Sequence, residues 1–333
     1  MRVYLTIDVE AHRSIREISG EGQNSLGAIL TILRESDCLA TFFVDVCEVA
    51  KWGLEFMQAT CKQIAADGHR VELHVHPHHA TGDNDRWLLS EYTREEQLII
   101  LTKAIADFEL LTGARPLAFR AGGFGANADT LQILQCHGII CDSSYLWRRP
   151  GCHLEPDNRV GPSNYLGLRE IPLTPAVLLG TINYPFRVSS LDFNWIPLFV
   201  LKRLYIELER QGVQTVVFLM HSSSMYVRTG KMSYWYRKRN ERKLRELIQF
   251  LRGRRAQFAA ISDPVPNGAL EEGSSMLPSP VVLDGVMTQY IVLIYQAVIG
   301  AGISQKFLVF ALINIVGLTV LVIFVLSLIV RNF

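Results

Sequence analysis

The sequence has little cysteine: six in 333 residues, at Cys38, Cys47, Cys61, Cys136, Cys141 and Cys152, with no CxxC pair. That spacing excludes a regular disulfide framework and a CxxC metal knuckle, and points to buried free thiols in a reducing compartment. Neither sign of charge dominates, with 33 Lys and Arg against 32 Asp and Glu for a net of +1. No base-reading module is recognisable, so nucleic acid is set aside as a partner. Internal repeats are absent. The opening MRVYLTIDVE lacks the basic segment, apolar stretch and cleavage site of a secretory signal, so the globular part is expected to stay in the cytoplasm.

What is present is unevenly distributed. Positions 307–330, FLVFALINIVGLTVLVIFVLSLIV, run 24 residues without a charged side chain, more than the roughly 20 a helix needs to cross a bilayer. The preceding 281–303 carries Asp284, Thr288, Gln289, Tyr290, Tyr295 and Gln296, and reads as a second, weaker span or an interfacial helix. Eleven Lys or Arg crowd 226–255 against Glu241 and Glu246. That segment is a solvated helix face or, with YWY at 234–236, a surface for anionic lipid. Between 264 and 280, Pro, Gly, Ser and acidic residues replace apolar ones. The division is therefore a globular domain over 1–262, a linker over 263–280 and a membrane anchor over 281–333.

Within 1–262 short strand-like runs fall at Val3–Ile7, Ala40–Val44, Arg70–Leu73, Leu117–Arg120, Ile139–Cys141, Leu168–Pro172, Val213–Met220 and Phe258–Ile261. Helical periodicity lies between many of them: Leu98, Leu101, Ile105, Phe108 and Leu111 closed by Gly113, Asp129 to His137, and Ile196 to Arg210. This alternation predicts an α/β fold, either a parallel (β/α) barrel or a doubly wound sheet. A barrel gathers its chemistry at the C-terminal ends of its strands. Here the strands run out into Asp8 and Glu10, His74, Arg120, Asp142 and His221.

Residues 74–79 read HVHPHH, four of the nine histidines. Imidazoles with a carboxylate make a usual ligand set for a divalent metal. His74 and His76 share a face if the strand continues, and His74 and His78 do so if the chain turns helical. Pro77 cannot donate to a strand ladder, which favours His74 with His78. A solvated histidine loop without metal is the plain alternative.

These residues resemble the motifs of the NodB-homology polysaccharide deacetylases, carbohydrate esterases with a distorted (β/α) barrel. Thr6-Ile7-Asp8-Val9-Glu10 is similar to the first motif, GHRVELHVHPH from Gly68 to the second, FRAGGFG at 119–125 to the third, DSSYLW at 142–147 to the fourth, and Leu219 or Phe218 leading into His221 to the last. The resemblance implies metal ligands Glu10, His74 and His78, a general base Asp8 held by Arg120, and an acid His221 kept charged by Asp142. His76 and His79 are left as outer-shell, substrate or plain loop residues. The metal implied is zinc first, with Fe(II), Co(II), Ni(II) or Mn(II) as alternatives. Three departures stand out: Glu10 replaces the usual Asp, FRAGG lacks the prolines of the third motif, and Ser222 follows His221.

The resemblance implies removal of an N-acyl group, acetyl or formyl, from an amino sugar. An anchored cytoplasmic domain points to a lipid-linked substrate, such as a polyprenyl-phosphate sugar or a glycolipid intermediate, with the Ile196–Tyr205 stretch and Tyr226–Arg239 against the bilayer. Two other readings are a metal-dependent phosphoesterase or amidohydrolase, from the HxH at His74–His76, and a membrane-anchored sugar-binding protein without catalysis.

Overall fold

The run RVYLTIDV alternates side chains between two buried environments, and this places it at the centre of a parallel sheet. A computed structural model describes residues 1–10, 25–182, 185–225, 233–264, 280–283, 285, 288–289, 291–293 and 295–296. Strand β1 (Arg2–Val9) is followed by helix α1 (Ser25–Glu35), β2 (Thr41–Asp45), α2 (Leu54–Ala66) and β3 (Arg70–Val75). Then come α3 (Arg94–Thr112), β4 (Ala118–Ala121), α4 (Ala128–Cys136), β5 (Cys141–Asp142), β6 (Ser163–Tyr165), β7 (Leu168–Glu170) and β8 (Pro175–Gly180). The series continues with β9 (Pro185–Asp192), α5 (Leu198–Arg210), β10 (Thr215–His221), α6 (Ser233–Gly253), β11 (Gln257–Phe258) and β12 (Val281–Val282).

The strand order is β12-β8-β9-β10-β1-β2-β3-β4-β5-β7-β6, with β11 paired to the start of β1. Neighbours are parallel except β6 with β7 and β8 with β9. The ladder stays open among the described residues. The architecture is thus an α/β half-barrel, the expected barrel without its closing seam. Odd positions of β1 (Val3, Leu5, Ile7, Val9) enter the large core under the helices. Of the even ones, Tyr4 packs inward with Phe43, Ala118, Cys141 and Val217. Period two therefore carries Thr6 and Asp8 to the inner face as well.

Helix α3 starts where Thr93 and Glu96 form a reciprocal capping box and ends at Gly113, whose φ of 74° suits a residue without Cβ. Its inner face holds Leu101, Ile105, Phe108 and Leu111 as the periodicity predicts, but Leu98 is exposed.

The run 307–330 and most of the linker, 265–279, lie outside the described residues. Among those described, no helix is long and apolar enough to cross a membrane. The weaker span expected at 281–303 begins instead as strand β12, which adds to the edge at β8. Val281 and Val282 are β-branched, and they satisfy that edge better than they would start a helix. The Ile196–Tyr205 stretch, read as a bilayer contact, is mostly core: Ile196, Val200, Leu201, Leu204 and Tyr205 are buried, while Phe199 is 53% exposed.

Phe218 sits at the middle of β10 and is fully buried. Phe218→Ala should lower unfolding stability by about 3–5 kcal/mol, read as a shifted urea midpoint with the slope unchanged.

Candidate metal centre and acid-base site

Register decides which side chains meet. Asp8 pairs across β1 and β10 with His221, so the two share a face of the sheet. Asp45, His74 and Arg120 form one rung through β2, β3 and β4. Each stands at the C-terminal end of its strand, where an α/β barrel assembles its reactive groups.

Glu10, just past β1, meets His74 and His76, with one ligand atom from each lying within 4.8 Å of the others. His76 Nε2 is 3.1 Å from Glu10 Oε1. His74 Nδ1–H donates to the Arg120 carbonyl at 2.8 Å. That bond fixes the tautomer and leaves the other nitrogen, Nε2, as a bare lone pair. Nε2 is buried and has no hydrogen-bond partner. An orphaned acceptor of this kind beside a carboxylate and a second imidazole fits a divalent cation. Burial lowers the His74 pKa, against the pull of Asp8. Burial acts on His76 in the same sense, but the Glu10 hydrogen bond and the charges of Asp45, Glu10 and Asp8 leave it raised above its ordinary value.

The structure brings His76, and not His78, to Glu10 and His74. The residue at 76 is still extended, with φ −100° and ψ 102°, and Pro77 opens the one-turn helix Pro77–Thr81 only after it. Proline at the first helical position lets the strand's alternation persist one residue further than the expectation drawn from Pro77. His78 stacks on the Trp87 ring with centroids 4.3 Å apart, and Trp87 is 54% exposed. Gly122 makes the arrangement possible, since a Cβ there would fall 2.6 Å from His76 Nδ1.

Asp45 anchors the same loop. It is fully buried and accepts from the backbone N–H groups of Cys47 and His76 and, at 2.7 Å, from His79 Nδ1–H. Burial would raise its pKa, yet the His79 hydrogen bond and the charges of His76 and His74 bring it below the usual carboxylate range. Asp45, Glu48 and His79 make a second group with metal-ligand spacing. Nothing in the sequence had marked Asp45 beyond its place at the end of a strand.

Arg120 is completely buried and donates to Asp8 Oδ1 at 2.7 Å, Thr6 Oγ1 at 3.0 Å, the Ser143 carbonyl at 3.1 Å and Ser143 Oγ at 3.0 Å. Its guanidinium also lies over the Phe43 ring at 4.2 Å. The planar fork thus fixes the Asp8 carboxylate in direction, as expected.

The partner expected for His221 is corrected. Asp142 is tied elsewhere: its oxygens accept from Ser144 N–H at 3.0 Å and Ser144 Oγ–H at 2.7 Å. It also shares a hydrogen bond with Glu170. Burial, then the neighbouring Asp142 charge, push Glu170 well above the carboxylate range. The hydrogen bond between the two carboxyl groups requires one of them to hold a proton, and the raised Glu170 is the one that favours it. His221 bears instead on Asp192, at the end of β9: burial raises the Asp192 carboxyl and His221 pulls it down. Asp192 Oδ1 accepts from the N–H groups of Asn194 at 2.7 Å and Trp195 at 3.2 Å. Sequence reading missed it because PFRVSSLD, with a proline, an arginine and two serines, is a weak strand signal. The strand-end rule would have found it once β9 was recognised.

Residues 1–141 match the family described as "Polysaccharide deacetylase". The motifs from Asp8 to Gly125 lie inside that match, and residues 1–141 thus carry the relationship that those motifs suggested. Among solved structures, the chain is similar to a family 4 carbohydrate esterase pseudoenzyme from Bacillus anthracis, at 17% identity and TM-score 0.46, covering 79% of this chain and 65% of that one. It is also similar to a protein described as a polysaccharide deacetylase from Mycobacterium smegmatis, at 18% identity and TM-score 0.45, covering 79% and 94%. A family 4 carbohydrate esterase from Streptomyces lividans, in complex with acetate, gives 13% identity and TM-score 0.42, covering 85% and 98%. No curated protein matches the chain.

Arg120→Met should destabilise the protein by about 3–5 kcal/mol, because it strands the Asp8 charge in the interior. The double variant Arg120→Met with Asp8→Asn should recover much of that loss in the same denaturation assay. Glu170 and Asp142 together hold a proton in the fold that an unfolded chain releases near pH 4–5. Their contribution is therefore full at acidic pH and falls as pH rises towards the folded values. Glu170→Gln, which keeps a donor for Asp142, should flatten that decline in a pH series of denaturation midpoints.

Proposed function

We propose that the protein is a metal-dependent hydrolase that removes an N-acyl group, acetyl or formyl, from an amino sugar. The carrying observation is the buried, partnerless Nε2 of His74, its tautomer set by the Arg120 carbonyl, facing Glu10 and His76 beside the Asp8–Arg120 pair. The family match over residues 1–141 supports the reaction class.

Glu10, His74 and His76 would hold the divalent ion, zinc first, which when bound supplies a Lewis acid for the acyl carbonyl and acidifies water. Asp8, aimed by Arg120, takes the proton from the attacking water as its oxygen bonds to the acyl carbon. His221 gives a proton to the departing nitrogen as the C–N bond breaks, releasing carboxylate and free amine. Asp192 stabilises the charged imidazole before that transfer. The base and the acid stand on neighbouring strands at one rung, so a substrate amide can lie between them.

For the substrate we propose an N-acylated amino sugar on a membrane-associated carrier, such as a polyprenyl phosphate, met at the cytoplasmic face of the membrane. The apolar run 307–330 and the cation-rich 226–255 support this. The buried Ile196–Tyr205 stretch does not. The close pairing of His74 with His76 also keeps a phosphoesterase reading in view, and phosphate release from phosphomonoesters and diesters distinguishes it.

The test is incubation of the full-length, zinc-loaded protein with N-acetylated and N-formylated amino-sugar lipids, with loss of acetyl or formyl followed by mass spectrometry. Product should vanish on chelation and return with zinc. Asp8→Asn and His221→Ala should each cut the rate on the order of a hundredfold or more. Glu10→Gln, His74→Ala and His76→Ala should lose zinc in equilibrium dialysis, whereas His78→Ala should retain it. Zinc lost from His78→Ala and kept by His76→Ala would return the ligand role to position 78. Intact substrate under all these conditions would refute the hydrolase reading.

A further inference from the structure

Helix α6 presents Asn240 and Lys243, three residues apart and so on one face, to the two loops that bear the acid and its carboxylate. Asn240 Nδ2–H donates at 2.7 Å to the Ser224 carbonyl, in the turn that follows His221. That turn is tied back to the strand end, since His221 N–H donates to Ser224 Oγ at 2.9 Å. Lys243 Nζ donates to the carbonyls of Phe193 and, at 2.8 Å, Ile196. Those carbonyls bracket the turn in which Asp192 accepts from Asn194 and Trp195. Asn194 links the two loops, with its Oδ1 accepting from Ser224 Oγ–H at 2.5 Å and its Nδ2–H donating to the Ser224 carbonyl at 3.2 Å.

Both α6 side chains are buried, which is unusual for an ammonium. Among the described residues, the charged groups acting on Lys243 are Arg239 on its own helix and Asp192 at the end of β9. The rings of Phe193 and Tyr295 lie within 4.5 and 5.8 Å of its ammonium. Burial, then Arg239, press its pKa down to about 7, with Asp192 opposing. An ammonium kept there at the cost of desolvation needs its two carbonyls and Asp192 as compensation.

We propose that Asn240 and Lys243 are positioning residues: a two-point clamp from α6 that holds the His221 turn and the Asp192 turn in fixed relation, so that Asp192 bears on the His221 imidazole. This rests on reading His221 as the acid that protonates the leaving amine. Neither residue touches the reacting atoms; each acts through the loop it holds.

The test follows the titration of the His221 ring by ¹⁵N–¹H NMR in the full-length, metal-free chain, with its resonance assigned by His221→Gln. Asp192→Asn should lower the His221 midpoint by about one pH unit through loss of a neighbouring anion. Lys243→Met and Asn240→Ala should each lower it as well. In the Asp192→Asn background, Lys243→Met should add no further drop. Leu247→Ala, a buried core change on the same helix, should reduce stability and leave the midpoint in place. A midpoint that rises in Lys243→Met would mean that the lysine acts on His221 only as a like charge, and an unmoved midpoint in both clamp variants would mean that it does not act at all; either overturns the proposal. Should Lys243→Met fail to fold, Asn240→Ala and Lys243→Arg decide it, with a lowered midpoint in the first and a wild-type one in the second. The readout needs no turnover, so an inactive wild-type protein would count against the hydrolase reading alone.

Discussion

Two halves of the site depend on one residue. The Arg120 side chain holds Asp8, and its backbone carbonyl sets the tautomer of His74. The proposed base and the first metal-ligand candidate are therefore aligned by the same four-residue strand, and β4 cannot shift without disturbing both. The guanidinium can stay in the interior because four of its five N–H groups are met by Asp8, Thr6 and Ser143 and its face is roofed by Phe43. Such a buried pair contributes little net stability, but its geometry is unforgiving. Rigid placement of this kind suits a group that must accept a proton along one direction.

Much of the site was legible in the sequence, because one rule sufficed: in a parallel β/α fold, polar residues at strand ends converge. Asp8, Glu10, His74, Arg120 and His221 all obey it, though they are spread over most of the chain. Clear strand signals delivered them, since RVYLTIDV, RVELHV and TVVFLMH are dense in β-branched and apolar residues. The rule failed where the signal failed. In β9, Val188 and Leu191 stand among serines, a proline and an arginine, so Asp192 gives no clear signal and Asp142 stands as the expected partner of His221. Asp142 does sit at a strand end, but Ser144 and Glu170 satisfy it locally, and no sequence pattern reveals that.

The histidine loop shows a finer limit. Whether ligands are spaced by two or by four depends on the backbone angle of one residue. Pro77 restrains the residue before it to extended conformations as firmly as it ends a ladder. Reading proline only as a strand breaker favoured His78; its effect on position 76 favours the other pair.

Gly122 limits what can stand opposite His76. A ring or branch at 122 would occupy the volume of the His76 imidazole, so the glycine and that histidine constrain one another. A proline at 122 would have to expel the inward imidazole at 76. A change at either position would thus have to be met at another 46 residues away, a dependency that neither segment shows alone.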